Sequence, residues 1–345
     1  MSAPVSTVAA CPWYHSDTRR HEFHCPAPEN FLDWYCSLRD CARLRLTGSR
    51  PRTIKAAMSK TPEEIKKIVE TEDDFGFEMR VGNVLARMKP DLDSVETTWV
   101  DGFAHGETYT DSNTSKPRQF DYRCQIRHCE NGQPPSNFKC LFLSVECKNL
   151  NESSPLIVCG RPRSQRECTH TIIESTFSIP MNRLLSPEIK TSKSFYPVDR
   201  FVGKSLLRLK KDGKHQIRAE ADADIYDKWS QVLQSSVELA QSALSLAKYH
   251  ISKRASSIIL PLVVVPNGLL WQVEYDATGS ISGLPRKVRN TTFFAGRQLD
   301  VPHEGFLMKV VLTHIHFVTV DGIEELLSTF LKRGQAWNNW HEVFK

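Results

Sequence analysis

Hydrophobic and polar positions alternate with a period of two along residues 119–127 and again along 138–149, the pattern of strands with two unlike faces. In the first segment Phe120, Tyr122, Cys124 and Ile126 share one face, and Gln119, Asp121, Arg123, Gln125 and Arg127 share the other. In the second, Leu141, Leu143, Val145 and Cys147 lie opposite Phe142, Ser144, Glu146 and Lys148. Asn131-Gly132 and Pro134-Pro135 between them are turn residues, so the pattern predicts a hairpin that sets the two polar faces side by side.

The pattern changes to helical spacing on either side. Thr61-Pro62-Glu63-Glu64 is a helix start: a threonine cap, a proline in the first turn, acids at the positive end. Phe77, Val81, Val84, Leu85 and Met88 then share one helical face. Residues 94–101 predict a first core strand, and 102–118 a long polar loop. A helix is predicted near 227–249, with Trp229, Leu233, Val237, Ala240, Ala243, Leu244 and Ala247 on one side. Residues 258–276 predict a strand, a Pro-Asn-Gly turn and a second strand paired to the first. Residues 307–320 predict a further strand, and 322–344 an amphipathic helix whose Trp337 and Trp340 pack on the body or serve a partner. Between 150 and 220 the pattern is irregular apart from a strand over 169–180. Strand–helix–strand order gives the α/β class: a mixed central sheet flanked by helices, with an N-terminal helical extension over 1–60. The main domain is placed at 61–330 with an insertion near 150–220, and a C-terminal tail at 331–345.

Composition narrows this little. The 345 residues carry 45 basic and 40 acidic side chains, a net charge of +5, which is compatible with nucleic acid without requiring it. The longest apolar run, Ile258 to Pro266, is shorter than the roughly 20 residues a membrane helix needs. Ten dispersed cysteines and an N-terminus without an apolar signal core point to reduced thiols in the cytoplasm. Cys11, His15, His21, His24, Cys25, Cys36 and Cys41 crowd the N-terminal segment, but only Cys36 and Cys41 approach the close pairing a zinc site wants.

The chemistry concentrates on Asp121, Glu146 and Lys148. Two carboxylates and a lysine on adjoining polar faces suit a hard cation such as magnesium, with the lysine tempering the charge and orienting a water. That equipment fits hydrolysis of a phosphodiester. Gln119-Phe120-Asp121, followed 25 positions later by Glu146-Cys147-Lys148 at the end of an apolar strand, resembles the core motifs of the PD-(D/E)xK nuclease superfamily, whose fold is restriction-endonuclease-like. Phe120 stands where the name-giving proline would be, a departure many members share.

The resemblance implies a magnesium- or manganese-dependent endodeoxyribonuclease. Asp121 and Glu146 would hold the metal, helped by the backbone carbonyl of Cys147 and by Glu78, and Lys148 would serve the attacking water. Glu78 lies on the rim of the apolar helical stripe, where family members carry a metal-binding glutamate. The helix after Glu-x-Lys often brings a glutamine, and this one offers Gln231 and Gln234; the wheel puts Gln234 nearer the apolar edge and Gln231 near its back. Arg161, Arg163, Lys204, Lys210 and Lys211 lie in basic stretches that would contact DNA phosphates if they face the same side. The resemblance also suggests a bacterial restriction or antiphage effector, with a partner protein supplying specificity and a homodimer cutting both strands. Two other readings stay open: a catalytically inactive binding module of the same fold, and an interaction protein built on the Cys/His segment and the tryptophan tail.

Overall fold

The computed structural model describes residues 61–72, 74–88, 97–111, 115–129, 137–178, 183–211, 217–221, 223–249, 254–331 and 337. The N-terminal Cys/His segment and Trp340 lie outside them. Two compact units are present, Met1–Val69 and Glu70–Lys345. In the first, the described residues begin helix α1 (Pro62–Glu72). Its start is a reciprocal cap: Thr61 Oγ1 accepts the Glu64 N–H at 3.2 Å, and the Glu64 carboxylate accepts the Thr61 N–H at 2.8 Å.

The second unit opens with α2 (Asp74–Arg87), β1 (Thr97–His105), and two short strands, β2 (Thr108–Thr110) and β3 (Pro117–Gln119). Next come β4 (Tyr122–Cys129), β5 (Asn137–Cys147), β6 (Leu156–Pro162), β7 (His170–Ser178), β8 (Arg183–Ser192), β9 (Phe201–Lys211) and β10 (Ile217–Ala221). Helix α3 (Ala223–Tyr249) leads to β11 (Arg254–Val265). The chain ends through β12 (Leu270–Glu274), β13 (Arg286–Lys287), β14 (Asn290–His303), β15 (Phe306–Thr319) and α4 (Val320–Leu331).

The architecture is mixed α/β: among the described residues, a 13-stranded sheet, a two-stranded sheet of β2 and β3, and few helices. The sheet runs β1-β4-β5-β11-β15-β14-β9-β6-β12-β13, with β10 beside β9, β7 beside β11 and β8 beside β7. Strands β4 and β5 are antiparallel, as the alternation predicts, in a register that sets Tyr122 opposite Val145. Strands β5 and β11 are parallel. One face of the sheet packs on α3 through Phe142, Ile259, Val263, Leu233, Ala240 and Leu244. The other packs on α2 and α4 through Tyr122, Leu143, Val145, Leu260, Phe77 and Leu327. The helical face read at Phe77, Val81 and Leu85 is the buried face of α2.

Several expectations change or are decided, and the polar loop expected over 102–118 carries the end of β1, all of β2 and the start of β3. Residues 258–276 form two strands around the Pro266-Asn267-Gly268 turn, with Gly268 at φ +78, but β11 and β12 do not pair. One edge of β11 is taken by β5 and the other is shared by β7 and β15, so β12 pairs β6 and β13 instead. The 150–220 insertion is strand-rich and continues the same sheet. Trp337 is fully buried, stacked on His128 with its indole N–H on the Phe330 carbonyl at 2.6 Å, so of its two expected roles it takes the packing one.

Candidate active site

Asp121 occupies the bend just before β4, and Glu146 the last turn of alternation in β5. Extending the register by one step sets them directly opposite each other. Both are buried, Asp121 at 8% and Glu146 at 0% exposure, on the face covered by α3. Asp121 Oδ2 accepts the Cys147 N–H at 2.5 Å, which fixes it at the strand end.

Between the two carboxylates sits a side chain the sequence reading did not select. Lys228, in the second turn of α3, places Nζ 3.3 Å from Glu146 Oε2 and 3.4 Å from Asp121 Oδ2. Burial pulls the Lys228 ammonium down, but the carboxylates of Glu146 and Asp121 outweigh it and leave it above its ordinary range. Burial and then the neighbouring Asp121 push the Glu146 acid well above the usual carboxylate range, against the pull of Lys228. Glu146 Oε1 is buried with no hydrogen-bond partner.

Helix α3 is held to the strands by small polar contacts. Ser144 Oγ, one alternation before Glu146, donates to the Val232 carbonyl at 3.1 Å and meets Ser235 Oγ. Arg123, two residues after Asp121, donates to Glu238 at 2.6 Å and to the Ser235 carbonyl at 2.7 Å. Its guanidinium lies 4.0 Å over the Phe120 ring and 5.6 Å from that of Tyr109. Phe120 therefore turns to the polar side, and the apolar alternation begins only at Tyr122. Tyr109, in β2, donates to the Gln231 carbonyl at 3.3 Å, and burial followed by the Glu146 charge pushes its phenol upward.

The other expected residues distribute unevenly. Lys148 is half-buried just past β5; its N–H donates to the Val264 carbonyl at 2.8 Å, and continued alternation assigns it to the Glu146 face. Glu78 contacts His105 at 3.9 Å, and its carbonyl accepts the Tyr122 hydroxyl at 2.9 Å. Its charge also raises the Glu146 acid, by less than that of Asp121 does. No group of three His, Cys, Asp or Glu side chains is gathered as a metal cage among the described residues. On the helix wheel Gln231 is about 60° from Lys228 and Gln234 about 120°. Gln234 is buried and Gln231 half-buried, as expected of a Gln234 nearer the apolar edge, while by helical angle Gln231 is the nearer of the two to Lys228.

Of the predicted phosphate contacts, Arg161, Arg163 and Lys204 do not join this site. Arg163 is 3% exposed and spends its guanidinium on the carbonyls of Pro197 and Phe201 and on Thr292 Oγ1, because the chain after β6 turns it inward. Arg161 and Lys204 both pair with Glu167. They sit on β6 and β9, five and four strand positions from β5, or about 20 Å at the usual spacing. The side chains of Lys210 and Lys211 lie outside the described residues.

Lys228 left one trace in the sequence: it is seven residues before Ser235, two helical turns, on the small-residue face that meets the sheet. No helix among the described residues is long and apolar enough to cross a membrane. No family model, curated protein or solved structure matches the chain.

Proposed function

We propose that the chain is a metal-dependent nuclease that hydrolyses DNA phosphodiester bonds at Asp121, Glu146 and their lysines. The observation that carries this is the juxtaposition of two buried carboxylates from opposed strand positions, one with an unpartnered buried oxygen. Such a pair costs stability unless a cation binds it. The donor set, all oxygen, fits magnesium or manganese, with Asp121 and Glu146 as holders and Glu78 and the Cys147 carbonyl as further contributors. When bound, the ion would stabilise charge growing on the phosphate. Lys148, two residues past Glu146, would orient and help deprotonate the attacking water. Lys228 would favour the charged forms of the carboxylates and sit between them in the free protein. The order α2, β1, β4, β5, crossover helix, and β11 parallel to β5 supports a restriction-endonuclease-like core. Action within a bacterial defence system, with a partner protein or as a homodimer, rests on the motif resemblance.

The test is incubation of linear, circular and single-stranded DNA, and of RNA, with and without magnesium or manganese. Asp121→Ala and Lys148→Ala should lose metal-dependent cleavage by at least a hundredfold while unfolding cooperatively. Wild-type rates from either variant would refute the assignment. One observation favours a second reading: the Lys228 ammonium already pairs with one oxygen of each carboxylate. A binding module that has exchanged metal for lysine would show no magnesium uptake by calorimetry, and a nuclease would.

A further inference from the structure

The face of the sheet opposite the carboxylate pair carries a second polar site. A cavity of about 390 Å³ opens between the 196–201 segment, the start of β14 and α4. Among the described residues it is lined by Arg163, Arg200 and Arg286, with Glu325 as the one carboxylate. His316 also lines it, and burial lowers that imidazole to about 3, so it is neutral at physiological pH. The lining therefore carries a net charge of about +2, and three cations around one concavity repel one another unless an anion enters.

The site is built before any ligand arrives. Arg163 is clamped by the Pro197 carbonyl at 2.9 Å and Thr292 Oγ1 at 2.5 Å, and lies 4.9 Å over the Tyr196 ring. Its Nε is buried with no hydrogen-bond partner. Tyr196 is in turn held by His316 Nε2 at 2.9 Å. Gln272, 8% exposed, donates to Thr291 Oγ1 at 2.6 Å and accepts the Arg286 Nε–H at 3.2 Å, which aims the Arg286 fork. Arg286 reaches the Glu274 carboxylate only at 3.9 Å, a weak hold on a mostly exposed group.

We infer that this cavity binds a small phosphomonoester, with Arg200 and Arg286 gripping the phosphate and Arg163 as the fixed charge behind them. Arginine forks match phosphate oxygens pairwise. A phosphomonoester carries close to two negative charges at neutral pH, which balances the lining. The volume falls within the roughly 300–1,000 Å³ usual for small-ligand pockets, so an organic moiety accompanies the phosphate, bordered by Phe201 and Leu326.

The experiment is calorimetry on the full chain at constant ionic strength with adenosine 5′-monophosphate, adenosine and inorganic phosphate as probes. The nucleotide should bind one to one, and adenosine at least tenfold more weakly. The double variant Arg200→Gln/Arg286→Gln changes only rim side chains and should lose at least tenfold in nucleotide affinity with an unchanged melting temperature. Equal binding of nucleotide and nucleoside overturns the inference. So does wild-type affinity in the double variant, or the absence of both heat and thermal shift with the nucleotide and with phosphate at millimolar concentration. Asp121→Ala should bind the nucleotide as wild type does, so a failed cleavage assay and a failed binding assay are separate results.

Discussion

Replacing Lys228 by methionine removes an ammonium that lies 3.3 Å from one buried carboxylate and 3.4 Å from another. At an effective dielectric near 20, each contact amounts to about 5 kcal/mol of gross attraction. Desolvation takes back much of that, and breaking a buried pair leaves a net loss of about 3–5 kcal/mol. The loss has an escape route. Burial and Asp121 already raise the Glu146 acid, and Lys228 is what pulls it down, so the variant raises it further. An acid whose folded pKa exceeds its unfolded value binds more protons in the native state, so stability falls as pH climbs from the unfolded value, about 4.3, toward the folded one. The variant should lose little at pH 5, where Glu146 takes up a proton, and about 3 kcal/mol or more at pH 8. Urea unfolding of both proteins at the two pH values, with chelator present, measures this. Magnesium added at pH 8 should raise the midpoint of the variant more than that of the wild type, because a bound ion stabilises only the folded state and no longer competes with an ammonium. A loss of equal size at both pH values would refute the coupling between Lys228 and Glu146.

Two further substitutions test the packing that holds the site. A Cβ at Gly82 would stand 2.4 Å from the Tyr122 hydroxyl, which is bound to the Glu78 carbonyl. Gly82→Ala should therefore destabilise by about 1–2 kcal/mol despite the better helix propensity, and Tyr122→Phe should relieve part of that in the double variant, both read by urea titration. Trp337→Ala removes a fully buried indole and its bond to the Phe330 carbonyl, and should cost about 3–5 kcal/mol in the same assay.

What the sequence discloses follows from the range over which each pattern acts. The β4–β5 pairing is legible because both strands alternate and a turn separates them, so Asp121 and Glu146 can be placed together from local signals. The buried face of α2 is legible for the same reason. Pairing across distance is not. Strand β11 reads as half of a hairpin with β12 because a good turn joins them. Yet an all-apolar strand is a central strand, and its edges go to partners more than 50 residues away in β5, β7 and β15. Strand β6 is short and flanked by Ser, Pro and Arg, so its pattern is submerged. Lys228 is one of many lysines in the sequence; its partners stand 82 and 107 positions away, and only the fold distinguishes it.

The convergence on Asp121 and Glu146 has a topological cause. Strand β5 ends at Cys147, and β11 runs parallel to it in the next sheet position. To start β11 beside the beginning of β5, the chain must first travel back along the sheet, and α3 makes that return. Its 27 residues rise about 40 Å, close to the length of the 12-residue β11. The end of α3 reaches the start of β11, where the Ala247 N–H meets Ser175 Oγ opposite Ala255. The beginning of α3 must then lie at the carboxyl end of β5, which brings Lys228 and the positive end of the helix over two carboxylates. Ser144 and Ser235, in contact, set how closely the helix approaches. The strands β6 to β10 intervene in sequence between β5 and α3 without altering this constraint, because they extend the sheet elsewhere. A parallel crossover thus dictates which helical turn faces the acids, and the residue it carries there decides whether they meet a fixed ammonium alone or an ammonium in competition with a divalent ion.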